Sequence, residues 1–328
     1  SGETAPRVRK LANGLLSFGV KLGDRVATLA WNGYRHFELY YAISGIGAVC
    51  HTINPRLSAE QMIYIINHAG DSIICVDLTF VPILEAIKDK VPSNMKYIIM
   101  TDRDHMPDTV LENVLCYEEV LEKGDSNIEW PEFPEETASS LCYTSGTTGN
   151  PKGSLYTHRS TVLHSLTAGI SFPETMRAGV RILPVVPLFH VNAWGLAYAA
   201  PLVGASIIFP GPNLDGKSIF DLMDSENVFS AWGVPTVWLG LLSEIENRGR
   251  IPNGFGEAII GGSAVPRYMV ESFEKLSVSV CHAWGMTEMS PIGTNGRLSP
   301  AHLKLPMNEK IDLKVKQGRR VYGVELKI

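Results

Sequence analysis

The 328-residue chain is short of three things: basic charge, long apolar runs and paired cysteines. Its 29 Lys and Arg against 34 Asp and Glu give a net charge of -5, which argues against the basic face that nucleic-acid binding requires. The most apolar stretch, 196–209, is too short for a bilayer and is broken by Pro201 and Gly204, so no integral membrane segment is expected. The N-terminus lacks a basic start followed by an apolar run, the pattern of a secretory leader. The five cysteines (Cys50, Cys75, Cys116, Cys142 and Cys281) are scattered and show no CxxC spacing. Buried free thiols in a reducing, cytoplasmic setting explain them better than disulfides or zinc.

What is present is ample core material, with 45% of residues hydrophobic. Short β-branched runs at 26–30, 72–76, 96–100, 139–143, 181–186, 206–209, 228–232, 257–260 and 277–280 predict strands. Several are apolar throughout, as in strands covered on both faces. Amphipathic stretches lie between them. In the first, Val8, Leu11, Ala12 and Leu15 share a face while Arg7, Arg9 and Lys10 reach water. At 58–68, Ser58 and Gln61 form a capping box and Met62, Ile65 and Ile66 face inward. Stretches 220–223 and 270–276 fit further helices. This alternation predicts an α/β fold of layered, mostly parallel β-sheets flanked by helices. The segment 102–136, rich in Pro, Asp and Glu, reads as a surface connection between two sheets, and a soft subdomain boundary is expected near 171–179.

The sharpest signal is Tyr143-Thr144-Ser145-Gly146-Thr147-Thr148-Gly149-Asn150-Pro151-Lys152-Gly153. Its glycines permit positive φ and close backbone approach. Exposed N–H groups, the hydroxyls of Thr144, Ser145, Thr147 and Thr148, and the ammonium of Lys152 make a cradle for polyphosphate. It is not a Walker loop, because Pro151 and Gly153 flank the lysine where that motif needs Gly and Ser or Thr. A plain Ser/Gly/Thr turn would account for three such residues; a run of this length reads as a phosphate loop.

The loop closely resembles the signature of the acyl-adenylate-forming superfamily of acyl-CoA synthetases, firefly luciferase and peptide-synthetase adenylation domains. Gly23-Asp24-Arg25-Val26-Ala27, Asn54-Pro55-Arg56-Leu57, Tyr64-Ile65-Ile66-Asn67-His68-Ala69 and Pro184-Val185-Val186-Pro187-Leu188-Phe189-His190-Val191-Asn192-Ala193-Trp194 are similar to its fatty-acyl-CoA synthetase branch. So are Gly233-Val234-Pro235-Thr236-Val237-Trp238-Leu239 and Gly261-Gly262-Ser263-Ala264-Val265-Pro266. His282-Ala283-Trp284-Gly285-Met286-Thr287-Glu288-Met289-Ser290-Pro291 carries tryptophan where the family usually has tyrosine, a form similar to synthetases for medium-chain acids and 3-methylmercaptopropionate. The resemblance implies an incomplete large N-terminal AMP-binding domain over 1–328, without the family's later ribose motif and small C-terminal lid domain.

Site roles follow from the resemblance. Thr144, Ser145, Gly146, Thr147, Thr148, Gly149 and Lys152 would wrap the ATP phosphates, with Lys152 and Thr148 stabilising charge. Thr287 would touch phosphate, and Glu288, with Thr148, would hold Mg²⁺, for which one carboxylate suffices beside phosphate oxygens. Gly261, Gly262, Ser263 and Ala264 would lie against the adenine, with Trp284, Gly285 and Met286 beside it. Two readings stand for Trp284, an aromatic face or core packing. His190 is either an orienting group for the carboxylate or a plainly hydrogen-bonded histidine; an ionised acid needs no general base. Trp194 is either an aromatic gate to an acyl tunnel or a buried helix residue. Val237, Trp238, Gly285 and Met289 fit a tunnel lining or ordinary core. His164 and His282 are read as structural.

The expected activity is ATP-dependent activation of a medium- or long-chain fatty acid to acyl-AMP, then thioester formation with CoA as co-substrate. The fragment alone is expected to be largely inactive. Alternatives are a 3-methylmercaptopropionate ligase, an adenylating enzyme with a carrier-protein acceptor, and a non-catalytic nucleotide- or acyl-binding protein. The resemblance also allows a homodimer.

Overall fold

In a computed structural model of the chain, residues 2–144 and 149–327 are described. The chain forms two compact units, Ser1–Thr161 with Leu188–Asn192, and Val162–Pro187 with Ala193–Ile328. The division does not fall near 171–179. It falls inside the helix His158–Ser171, whose two ends are tied to different units. Its first turn is held by the Ser139–Thr161 hydroxyl pair at 3.1 Å and by the Arg159–Glu135 ion pair. Its last residue accepts from Asn295 Nδ2 at 2.5 Å, and Phe172 packs on Trp232.

The first unit is built on the seven-stranded sheet β5-β4-β3-β1-β2-β6-β7. Its strands are β1 (Arg25–Leu29), β2 (Val49–Thr52), β3 (Ile73–Val76), β4 (Lys96–Ile99), β5 (Val114–Cys116), β6 (Ala138–Thr144) and β7 (Lys152–Thr157). All pairs are parallel except β6 with β7. Helices α1 (Thr4–Ser17), α2 (Tyr34–Gly45) and α3 (Ala59–Ala69) belong to this unit. The apolar face expected on α1 is buried as Val8, Leu11, Ala12 and Leu15. The capping box forms at Ser58 and Gln61, and Gly70 closes α3 in the left-handed conformation. Segment 102–136 is more than a connection: it supplies edge strand β5 and the helix Tyr117–Lys123, whose Tyr117, Val120 and Leu121 are buried.

From β1 the chain passes to β2 on one side and then to β3 on the other. The loops after β1 and β3 therefore diverge, which makes a topological switch point at their carboxyl ends, where α/β sheets bind ligands.

The second unit carries the sheet β14-β13-β12-β11-β10-β8-β9. Its strands are β8 (Arg181–Pro184), β9 (Ser206–Ile207), β10 (Ser230–Gly233), β11 (Glu257–Ile260), β12 (Ser279–Gly285), β13 (Ile292–Asn295) and β14 (Arg319–Arg320). The first five run parallel and the last two pair antiparallel. Its core gathers Ile219, Phe220, Trp238, Leu241, Met269 and Phe273 around β10 to β12. All five cysteines are free and buried. Among the described residues no helix is long and apolar enough to cross a membrane.

Candidate functional site

In the first unit, β6 and β7 are the two stems of the phosphate loop. Thr144 pairs with Lys152 and Tyr143 with Gly153, and the Thr144 hydroxyl donates to the Lys152 carbonyl at 3.4 Å. Ser145, Gly146, Thr147 and Thr148 lie outside the described residues. Gly149 has φ +95°, a value that favours glycine, and a β-carbon there would meet nothing within 4 Å among the described residues. Lys152 is exposed and has no acidic partner among the described residues.

The His190 segment is seated in the same unit by buried polar groups. The Leu188 N–H donates to Asn32 Oδ1 at 2.6 Å, just beyond the carboxyl end of β1. The Tyr40 hydroxyl donates to the Leu188 carbonyl at 2.6 Å, and Asn192 Nδ2 donates to Ser140 Oγ at 3.0 Å. Phe189 stands edge-on to Trp31, and the Arg56 guanidinium lies 6.0 Å over its ring. His190 thus stands at the switch point of the first sheet. Its imidazole reaches solvent, yet the protein crowded around it, and then the charge of Arg56, hold its pKa below the ordinary value. It is neutral at neutral pH and can both donate and accept a hydrogen bond. Nearby, the Trp31 N–H donates to Asp77 Oδ2 at 2.6 Å, and burial raises the Asp77 carboxyl to about 6.

Immediately after His190 the backbone makes one left-handed helical turn. Val191, Asn192, Ala193 and Trp194 have φ of 52°, 53°, 50° and 57°, and Gly195 follows at 79°. Each non-glycine residue in this conformation costs about 1–2 kcal/mol, and such strain collects at functional sites. A β-carbon at Gly195 would strike the ring of His164.

In the second unit, Gly261, Gly262, Ser263 and Ala264 follow β11, and the last three are exposed. Trp194 covers the glycines: a β-carbon on Gly261 would lie 3.1 Å from its ring and 2.8 Å from the Ala283 carbonyl. Gly262 has φ +81°. Trp284, on β12, is half-buried against β13, where a β-carbon on Gly293 would meet its ring at 2.6 Å. A bulge between Trp284 and Gly285 turns the chain outward. Gly285 and Met286 are exposed, and Thr287, Glu288 and Met289 form one tight helical turn. Glu288 is exposed, with no cationic partner among the described residues. Among those residues no group of three or more His, Cys, Asp or Glu side chains could hold a metal. A single carboxylate suits Mg²⁺, which takes its remaining ligands from water and phosphate.

Trp238 is spent on core packing. It is fully buried, its N–H donates to the Gly233 carbonyl at 3.1 Å, and Phe255 and Phe273 pack on its ring. Val237 is only partly buried beside that core, and Met289 is half-buried. His164 is buried, which lowers its pKa to about 4, and His282 Nδ1 meets the Val315 carbonyl at 3.0 Å. Sequence reasoning passed over Asn32, Tyr40 and Asn192, which seat the His190 segment. The available signal was Asn192 itself, an amide inside an otherwise apolar run.

Across residues 2–328 the chain matches the AMP-binding enzyme family, and it belongs to that family. It is 49% identical to a medium-chain-fatty-acid–CoA ligase of Ectopseudomonas oleovorans, covering 99% of this chain and 60% of that protein. It is 47% identical to a 3-methylmercaptopropionyl-CoA ligase of Ruegeria lacuscaerulensis, covering 100% of this chain and 61% of the relative. The chain therefore spans about three fifths of the length of these relatives. The fold is similar to that of the anthranilate CoA ligase AuaEII solved with anthranoyl-AMP, with a TM-score of 0.83 and 20% identity over 98% of this chain and 59% of the other.

Proposed function

We propose that this chain is the nucleotide- and acid-binding part of an ATP-dependent acid–thiol ligase. The carboxylate oxygen of the acid attacks the α-phosphorus of ATP, forming acyl-AMP and releasing pyrophosphate. The CoA thiol then attacks the acyl carbon, AMP leaves, and a thioester forms. The observation that carries this reading is Lys152, exposed and unpaired among the described residues, at the β6–β7 stem of the Gly- and Thr-rich loop.

Within the first step, the Lys152 ammonium meets phosphate oxygens, and the Thr144 hydroxyl turns from its long 3.4 Å bond to the Lys152 carbonyl to do the same. Charge-assisted hydrogen bonds of this kind contribute about 1.5–3 kcal/mol each. The acid arrives already ionised, so His190 orients it as a neutral hydrogen-bonding group and takes no proton. Gly261 to Ala264 offer an open backbone edge for the adenine, with Trp194 and Trp284 as flanking aromatics. Glu288 would hold Mg²⁺ through its carboxylate. When bound, that ion neutralises charge on the phosphates. A homodimer and a cytoplasmic location belong to the same proposal.

A fatty acid of medium or long chain is the first-choice substrate. The 3-methylmercaptopropionate reading is kept because one relative, 47% identical, bears that activity in its name. One methylene changes binding by about 0.8 kcal/mol, roughly fourfold, so selectivity among chain lengths is gentle. The test is to incubate the full-length protein with ATP, Mg²⁺, CoA and acids of graded length, together with 3-methylmercaptopropionate, and to follow AMP and thioester. Stoichiometric AMP and thioester are expected. Acyl-AMP without thioester would favour a carrier-protein acceptor, and ATP binding without AMP a non-catalytic binding protein.

A further inference from the structure

Lys152 is the first residue of β7, and among the described residues β7 is the edge strand of the first sheet, paired there with β6 alone. One ladder of hydrogen bonds is weak support for a side chain that must be held to a fraction of an ångström. A second support exists in Tyr143. It lies directly opposite Gly153, the residue after Lys152, and a β-carbon on Gly153 would stand 3.4 Å from the phenol Cζ and 2.9 Å from Leu141 Cδ1. The ring thus backs the Lys152 end of β7, and glycine is what lets it approach.

Tyr143 is itself locked from the far side. Its hydroxyl and His68 Nδ1 are hydrogen-bonded at 2.7 Å, and His68 stacks on Tyr64, both from α3. The phenol ring also packs against His51 of β2, with centroids 5.2 Å apart. His51 is fixed by a 2.7 Å bond from Nδ1 to Asp71 Oδ2, with both side chains fully buried. Burial, then the charge of Asp71, push the Tyr143 hydroxyl up to about 12, so it keeps its proton at neutral pH.

We propose that Tyr143 is the positioning residue for Lys152. The ring, pinned through its hydroxyl to His68 and backed by His51, holds the start of β7 so that the ammonium meets the outer phosphates of a nucleoside triphosphate. This rests on the reading of the loop as phosphate-binding.

The test uses the full-length protein and compares dissociation constants for ATP, inorganic pyrophosphate and AMP. Tyr143→Phe keeps the ring and removes the bond to His68. It should weaken ATP and pyrophosphate about three- to tenfold, the worth of one hydrogen bond, with AMP affinity and melting temperature unchanged. His68→Ala should reproduce that loss, His68→Gln should restore most of the affinity, and the double variant should be no weaker than either single one. Weakening of AMP to the same degree, or strictly additive losses, would overturn the inference. So would an unaffected Tyr143→Phe protein in which Lys152→Ala still loses ATP, and in that case the phosphate reading survives. If Lys152→Ala leaves ATP binding intact, the phosphate reading fails and takes the inference with it.

Discussion

Two sets of charged residues in this molecule are treated in opposite ways. Where α1, α2 and the helix Tyr117–Lys123 meet, Arg7, Arg35, Glu38 and Glu118 are partnered with one another. Arg7 Nε bonds Glu38 at 2.6 Å and Arg7 Nη1 bonds Glu118 at 2.9 Å; Arg35 bonds Glu118 at 2.8 Å, and the Tyr117 hydroxyl donates to Glu38 at 2.7 Å. Glu38 is buried, so its charge is tolerable only because Arg7 and Tyr117 satisfy both oxygens. Lys152 and Glu288, by contrast, are exposed and have no ion pair among the described residues. Charges that hold the fold are neutralised internally, whereas charges left open are available to a ligand.

The contrast breaks most sharply at Glu38. Glu38→Ala leaves Arg7 with Glu118 alone and takes the acceptor from the buried Tyr117 hydroxyl, and should cost about 1.5–3 kcal/mol. For the unfolding entropy of 328 residues that lowers the melting temperature by roughly 2–4 °C, read by thermal unfolding. Nucleotide affinity of the folded protein should be unchanged. The reverse pattern is expected at the open charges. In the full-length protein, Lys152→Ala and Glu288→Ala should each slow adenylate formation about 10²–10³-fold while leaving the melting temperature nearly untouched. Parallel losses of stability and rate would make both side chains structural, and the comparison would fail.

Gly261→Ala is a smaller perturbation. The new methyl group would press on the Ala283 carbonyl and the Trp194 ring, so a cost of about 1–3 kcal/mol is expected, together with weaker adenosine binding measured by calorimetry.

A separate effect is set by pH. His36 and His164 are both held near 4 by burial, below the 6.5 of an open histidine. Between those values the unfolded chain binds more protons, so their contribution is complete above about pH 6.5 and is lost as pH falls toward 4. Asp77 opposes this. Its carboxyl is raised to about 6 by burial, so between about 6 and 3.8 the folded state binds the extra proton and gains stability as pH falls. Denaturant midpoints should therefore decline from pH 7.5 to 4.5, and more steeply in Asp77→Asn.

Much of the fold was readable because its signals are local. Ser58 and Gln61 capped α3 as expected, β3 is apolar throughout, and β4 and β11 are apolar after one leading charged residue, Lys96 and Glu257. Strand β7 was missed because an edge strand needs no apolar alternation: Lys152, Gly153 and Leu155 are all exposed. β2 was missed because four residues containing Cys50 and His51 carry no period, and their burial comes from neighbours on both sides. Within the site, the glycines could be read from their type. The left-handed turn at Val191 to Trp194 could not, since β-branched and aromatic residues argue against positive φ, and the bonds that hold it, from Asn192 to Tyr40 and Ser140 and from the Ala193 N–H to the Pro187 carbonyl, reach residues outside the turn.

The order of residues alone determined the family, the layered α/β architecture and the contiguous loop ending at Lys152, because glycine, hydroxyl and ammonium chemistry there is carried by neighbours along the chain. Tertiary structure decided that Trp238 is core, that His190 sits neutral beside Arg56, and that Tyr143 backs β7. Each of those depends on burial or pairing between residues distant in sequence, which no local pattern records.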